Sequence, residues 1–334
     1  MKRVLVVRCG ALGDLVYATS VVDALKKEYG DDTLIDFVAT PSSAAIFKKD
    51  PRVKRIFPLK HKKIPLFLSK EKKKIIQASK EHPYDILINF EHGKQFASLL
   101  EAIQAKKKVG PQLSSVKIPK NITHMVDVIR YTFKELVSDR VFKESFPRLI
   151  GSDKEEMRQK YNLLNNYIVI SPSNSHQKRN RMNYRAWEDS HWRKLIEKVA
   201  QHKKVVLIGA PNEEEFFTKL KPYPDNVVDL VGKTPLPDLI GVIEAADALV
   251  ATDTGTAHIA SAVNTEVFAL IGPTPANVTG PYQSRYNKVH IISLNLECSP
   301  CYKTERMKKC QDNICMKNIS SEMVFDSIKE ANLL

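Results

Sequence analysis

The sequence predicts an α/β protein whose parallel-sheet architecture occurs twice. Three observations carry this. The apolar run Val4-Leu5-Val6-Val7 passes through a glycine turn into a helical pattern, and the same arrangement returns where Val250-Ala251 leads into Thr252-Asp253-Thr254-Gly255. Between and around them, short strand-like runs at 34–38, 86–90, 167–171, 205–208, 248–251 and 267–271 alternate with helix-like segments, the pattern of βαβ units. At 334 residues, 43% hydrophobic and 27% charged, the chain is too long for one ordinary core and normal for two.

The first run ends in Arg8-Cys9-Gly10-Ala11-Leu12-Gly13-Asp14, after which Ala18, Val21, Val22 and Leu25 recur at helical spacing. Asp14 therefore falls near a helix N-terminus, outside the carboxyl end of a strand, where open α/β sheets bind their ligands. A plain helix cap and a chemical role both fit it. The Gly10-x-x-Gly13 spacing is not the dinucleotide fingerprint.

Charge is uneven. The net charge is +14, and residues 52–80 hold eleven Lys and Arg against one acid, Glu71. Such a stretch is either a solvated face or a field that gathers polyanions. Zinc-finger, basic-zipper and aromatic RNA-binding signatures are missing, and only Phe57 and Phe67 are available for stacking. Anionic lipid or glycan is therefore expected ahead of nucleic acid. After the run at 86–90 the patterning weakens, and Phe146-Pro147 opens a polar stretch; the domain junction is expected near 148–165.

In the second half, Asp253-Thr254-Gly255-Thr256-Ala257-His258 presents the start of a helix, whose unpaired N–H groups and dipole suit a phosphate. Asp253 is placed to orient those amides and His258 to donate to the anion; a simple cap and a satisfied helical histidine remain the alternative. No apolar stretch approaches the ~18 residues of a membrane span, and Met1-Lys2-Arg3 runs into a strand pattern with no cleavage site, so a cytoplasmic protein is expected.

Taken together, Gly10-x-x-Gly13-Asp14, Asn89-Phe90-Glu91-His92-Gly93, the turn from Gly209 to Glu214, Asp253-Thr254-Gly255-x-x-His258, Gly272-Pro273-Thr274 and Cys298-Ser299-Pro300-Cys301 resemble glycosyltransferase family 9, the bacterial lipopolysaccharide heptosyltransferases. The resemblance spans nearly the whole chain. It implies a GT-B fold of two Rossmann-like domains facing across a cleft. Residues 1–150 would hold the acceptor and residues 165–317 an ADP-activated sugar, with a terminal helix at about 318–334 packing back on the first domain. It further implies inversion at the anomeric centre with Asp14 as general base, and acceptor contacts from Arg8, Gly13, Lys62 and Lys63. On the donor side, Arg185 stands in the register of the family's Lys-x-Trp-Pro run, and Lys178, Arg179 and Arg181 compete for the same task of meeting the diphosphate charge. Glu213 is implied at the ribose hydroxyls, Thr234 beside the adenine, and Asp253, Thr254, Gly255, Thr256 and His258 at the diphosphate.

The chain contains no Asp-x-Asp motif, so metal-independent transfer with no cofactor beyond the ADP-sugar substrate is expected. Cys298, Cys301, Cys310 and Cys315 form C-x2-C-x8-C-x4-C, which fits a structural zinc site, reduced, packed thiols or, in an unusual redox setting, disulfides, while Cys9 is a small packing residue. The expected partner is an anionic lipid-linked glycan met by a monomer at the cytoplasmic face of the inner membrane. Two alternatives stay open: a family 9 enzyme with another sugar or acceptor, and a non-catalytic binder of nucleotide or nucleic acid.

Overall fold

Each half of the chain winds a wholly parallel sheet. The structure is a computed structural model that describes residues 1–60, 64–163, 166–174 and 182–334. It divides into two units, Met1–Ile150 and Gly151–Leu334.

The first sheet comprises β1 (Arg3–Val7), β2 (Leu34–Ala39), β3 (Val53–Pro58), β4 (Tyr84–Asn89) and β5 (Ala105–Val109), in the order β3-β2-β1-β4-β5. Val6 stands between Phe37 and Ile88 in the register. Strands covered on both faces become continuous apolar runs, and Val4 to Val7 are fully buried. The order reverses between β1 and β4, so the turns after these two strands flank the switch point at which such sheets bind ligands.

The second sheet repeats the plan with one more strand. It holds β6 (Tyr167–Ser171), β7 (Lys204–Leu207), β8 (Val227–Asp229), β9 (Ala248–Thr252), β10 (Glu266–Leu270) and β11 (Val289–Ile292), ordered β11-β10-β9-β6-β7-β8. Its reversal lies between β6 and β9. The helix Gly255–Ala262 leaves the end of β9 and packs on β9 and β10.

The second unit runs beyond the expected 165–317 at both ends. The terminal helix, Ser321–Glu330, packs on the helix Asp189–Ala200 and on β10 and β11. Val324 and Ile328 are fully buried in one core with Trp187, Trp192 and Ile196, so the helix contributes to the core of the second unit. The Trp187 indole donates to the carbonyl of Ile319 at 2.8 Å, tying down the approach to this helix. The division after Ile150 falls within the expected junction of 148–165, and the stretch that follows it belongs to the second unit. Helix Lys154–Lys160 packs on helix Leu236–Glu244, and the buried Asp238 carboxylate receives Ser152, Lys160 and Tyr161 at 2.6, 2.6 and 3.1 Å. A Cβ on Gly241 would lie 2.4 Å from the Ser152 carbonyl oxygen, so close passage of the two segments requires glycine there.

The basic stretch is likewise not one uniform patch. Arg52 is committed internally, bonded to Asp50 at 2.6 Å and Asp23 at 2.7 Å. Lys72 is only 4% exposed and donates to the carbonyls of Ile64 and Gln95. Among the described residues, no helix is long and apolar enough to cross a membrane.

Candidate active site

At the switch point of the first sheet, the turn after β1 enters helix Leu12–Ala18 with Ala11 as its cap and Asp14 in its first turn. The Asp14 carboxylate reaches back to accept the Ala11 N–H at 3.0 Å through one oxygen, while the other accepts from Arg8 Nη2 at 2.8 Å. A carboxylate here satisfies an orphan helix N–H and complements the dipole. Its side chain nevertheless remains 40% exposed, against 10% for Arg8. Gly10 is needed for this arrangement, since a Cβ would lie 2.4 Å from the Asp14 Cβ and 2.7 Å from its Oδ2.

Arg8 is turned inward. Its Nη1 donates to the Phe90 carbonyl at 2.9 Å and stands 3.6 Å from Glu91 Oε1, an oxygen that also accepts the Cys9 N–H at 2.7 Å. Asn89, itself fully buried, fixes that second turn by accepting the Glu91 N–H and donating to the Glu91 and Pro111 carbonyls. The turns after β1 and β4 are thus joined by one guanidinium. Burial, with the Glu91 charge added, pushes the Cys9 thiol far above its ordinary range. This is the environment of an inert packing residue.

The second unit gathers its own cluster around the ends of β6 and β9. Thr254 caps helix Gly255–Ala262 in extended conformation without a side-chain bond to the helix, and Thr256 donates to the Ser171 hydroxyl at 3.0 Å across the switch point. Asp253, 6% exposed, has Oδ2 3.3 Å from Arg185 Nε and Oδ1 4.0 Å from His258 Nε2. The Arg185 contact lacks hydrogen-bond geometry, and Asp253 Oδ2 and Arg185 Nε are both buried without a hydrogen bond. Buried polar atoms in that state are costly and mark a place where a further polar group is accommodated. Asp253 thus faces Arg185 and His258.

Glu213 sits at the turn after β7. Its Oε2 accepts from the Ser173 hydroxyl at 2.6 Å and the Ala210 N–H at 2.8 Å, which fixes the carboxylate against the end of β6. Asn212 adopts a left-handed φ of 66° to form the turn. The segment leading to Thr234 lies alongside, because the Gly232 N–H donates to the Gly209 carbonyl at 3.0 Å.

The four clustered cysteines are free thiols that line one pocket with Tyr184, Pro273, Arg306 and Asn313. Burial, with the other three sulfurs adding to it, pushes Cys315 up to about 11. Among the described residues, no group of three His, Cys, Asp or Glu is arranged to hold a metal ion. The loop does serve the site. Its Tyr302 ring lies 4.7 Å beneath the Arg185 guanidinium, and Cys301 and Tyr302 both donate to the Pro273 carbonyl. Tyr302, Ser173 and the internal pairing of Arg8 with Glu91 were not legible from motifs. Lys62, Lys63, Lys178, Arg179 and Arg181 lie outside the described residues.

Residues 72–311 match the model of glycosyltransferase family 9 (heptosyltransferase). The chain belongs to this family. It is 25% identical over 289 residues to lipopolysaccharide heptosyltransferase 3 of Escherichia coli, covering 78% of this chain and 81% of that one. It is 24% identical over 334 residues to lipooligosaccharide heptosyltransferase 2 of Campylobacter jejuni, covering 96% of each. The E. coli ADP-heptose lps heptosyltransferase II structure superposes with a TM-score of 0.75 at 18% identity, covering 99% of this chain and 98% of that one. The two parallel sheets are accordingly the two Rossmann-like domains of a GT-B family 9 glycosyltransferase.

Proposed function

We propose that this glycosyltransferase moves a heptose from ADP-heptose onto the inner core of lipopolysaccharide, a Kdo-lipid A or heptosyl-Kdo-lipid A acceptor, inverting the anomeric centre without a metal ion. Asp14 is the general base. The observation that carries this reading is the Asp14 carboxylate at the first switch point, held by Arg8 and the Ala11 N–H yet 40% exposed. The names of the relatives, heptosyltransferases of lipopolysaccharide and lipooligosaccharide, support the substrate class.

In the transfer, the acceptor hydroxyl gives its proton to Asp14 while its oxygen bonds to the anomeric carbon. The bond from that carbon to the β-phosphate oxygen breaks, and its electron pair leaves with ADP. The charge arriving on the phosphate is met by N–H groups at the start of helix Gly255–Ala262 and by Arg185, whose position is set by Asp253 and Tyr302. One well-aimed donor contributes about 3 kcal/mol to such a transition state. Glu213, fixed by Ser173, accepts from the ribose hydroxyls, and the main chain near Thr234 lies beside the adenine. Gly13 leaves the acceptor side of the first turn open, and Arg8 acts through Asp14. The acceptor is anionic and lipid-linked, and a monomer engages it at the cytoplasmic face of the inner membrane.

The test is ADP release from ADP-L-glycero-D-manno-heptose in EDTA, with and without Kdo-lipid A, and the anomeric configuration of the product by NMR. Acceptor-dependent release with inversion supports the reading. Release that requires a divalent ion, retention of configuration, or turnover only with other nucleotide sugars refutes it in the corresponding part.

A further inference from the structure

In the first unit, two large apolar side chains stand side by side in solvent. Phe67 is 69% exposed and Leu68 is 63% exposed, and Ile64 just before them reaches 36%. They belong to a single 3-10 turn, Leu66–Leu68, which ends at Ser69, the cap of helix Lys70–Glu81. The turn is firmly held. Leu68 N–H donates to the Pro65 carbonyl at 3.0 Å, the Ser69 hydroxyl accepts the Lys72 N–H, and the buried Lys72 ammonium grips the Ile64 carbonyl at 3.0 Å. The fold therefore buries a lysine to brace a turn whose apolar side chains it leaves outside.

The surroundings are basic. Lys70, Lys73 and Lys74 follow at helical spacing on one exposed face, while Lys72, Ile75, Ala78 and Ser79 make up the buried one. Lys60, also exposed, acts together with Lys74 on the carboxylate of Glu71, the one acid in this stretch. Lysines alone would suit any polyanion. Phe67 by itself offers a stacking face, but Leu68 beside it, 63% exposed, can neither stack on a base nor hydrogen-bond, so the pair as a whole fits an apolar partner better than a nucleic acid or a sugar. Apolar side chains ringed by lysines match a bilayer interface, where the former enter the acyl boundary and the latter meet the headgroups.

We propose that the Phe67-Leu68 turn, with Lys60, Lys70, Lys73 and Lys74, docks this protein on an anionic phospholipid surface. The inference rests on the reading of the acceptor as lipid-linked and names the surface that brings the enzyme to it.

The experiment is co-sedimentation with vesicles of phosphatidylethanolamine and phosphatidylglycerol, set against vesicles of phosphatidylcholine, at low and at physiological salt. The full chain is compared with Phe67→Ser/Leu68→Ser and with Lys70→Gln/Lys73→Gln/Lys74→Gln. The wild type is expected to partition to the anionic vesicles, and each variant to lose about tenfold or more of that partition. Thermal melts and transfer to an acyl-free acceptor are expected to stay at wild-type levels. Unchanged partition in both variants overturns the proposal, as does equal partition of the wild type to the phosphatidylcholine vesicles. Vesicle binding that depends on Phe67 in a protein without heptose transfer would sink the functional reading and leave the surface standing. Normal transfer with no anionic-vesicle binding would do the reverse.

Discussion

Arg8 Nη2 and Asp14 Oδ1 meet at 2.8 Å, and the same guanidinium is anchored behind by the Phe90 carbonyl and Glu91. The exposed carboxylate is thereby aimed by groups that are themselves largely buried. An ion pair of this kind contributes through geometry more than through stability, because the charges that hold it are already matched within the fold. The positions of β1 and β4 on either side of the switch point make the arrangement possible.

Replacing Arg8 should therefore damage the chemical step. For Arg8→Ala we expect kcat to fall about 100-fold, the scale of a misplacement near 1 Å, with KM for the donor nearly unchanged. Arg8→Lys should recover part of the loss, since an ammonium supplies the charge without the fork. A raised donor KM at normal kcat would contradict this positioning role.

Asp23 offers a test by pH. Burial raises its pKa, but the charges and hydrogen bonds of Arg52 and Arg148 lower it further, leaving it below the ordinary aspartate value. A depressed folded-state pKa contributes stability that is present above the unfolded value of about 3.9 and is lost as pH falls through the folded value. Asp23→Asn should cost the first unit about 1–3 kcal/mol at pH 7, with the difference fading below about pH 4. Urea unfolding at pH 7 and at pH 3 measures both; an equal loss at the two values would exclude the linkage.

Ile328 tests the place of the terminal helix. Fully buried against the core that holds Trp192 and Ile196, it should cost about 2–5 kcal/mol on Ile328→Ala. The loss should appear in the unfolding of the second unit, followed by tryptophan fluorescence from Trp187 and Trp192, and leave the first unit's transition in place. A transition that moves only in the first unit would return the helix to that side.

Much of this molecule was legible because burial writes simple patterns. β1, β4, β6 and β9 are covered on both faces, so they stand out as unbroken apolar runs, and the six strand-like runs after the first fall within two residues of the observed bounds. β3 and β5 did not stand out. Both are edge strands, and Lys106, Lys107 and Lys108 in β5 point to solvent or fold their stems over the sheet margin, with Lys108 donating to the Leu100 carbonyl. In the last helix Val324 and Ile328 are buried while the equally apolar Met323 is 41% exposed, so composition alone marks neither its buried face nor the unit that buries it. Lys72 looked like any other member of a charge run, and its burial depends on carbonyls at Ile64 and Gln95 that only the folded chain brings near. In the site, glycine turns and acids were visible as motifs. The Arg8–Glu91 link, spanning two strands far apart in sequence, was not.

The most direct measurement is single-turnover transfer from ADP-heptose to Kdo-lipid A in EDTA, wild type against Asp14→Asn. The amide keeps the size of the side chain and one of its two acceptors, for either the Ala11 N–H or Arg8, but takes up no proton, so the account predicts a loss of at least about 100-fold in the chemical step with ADP-heptose affinity unchanged. Transfer by Asp14→Asn within a few-fold of wild type would show that the proton leaves by another route and that Asp14 is only the cap of its helix.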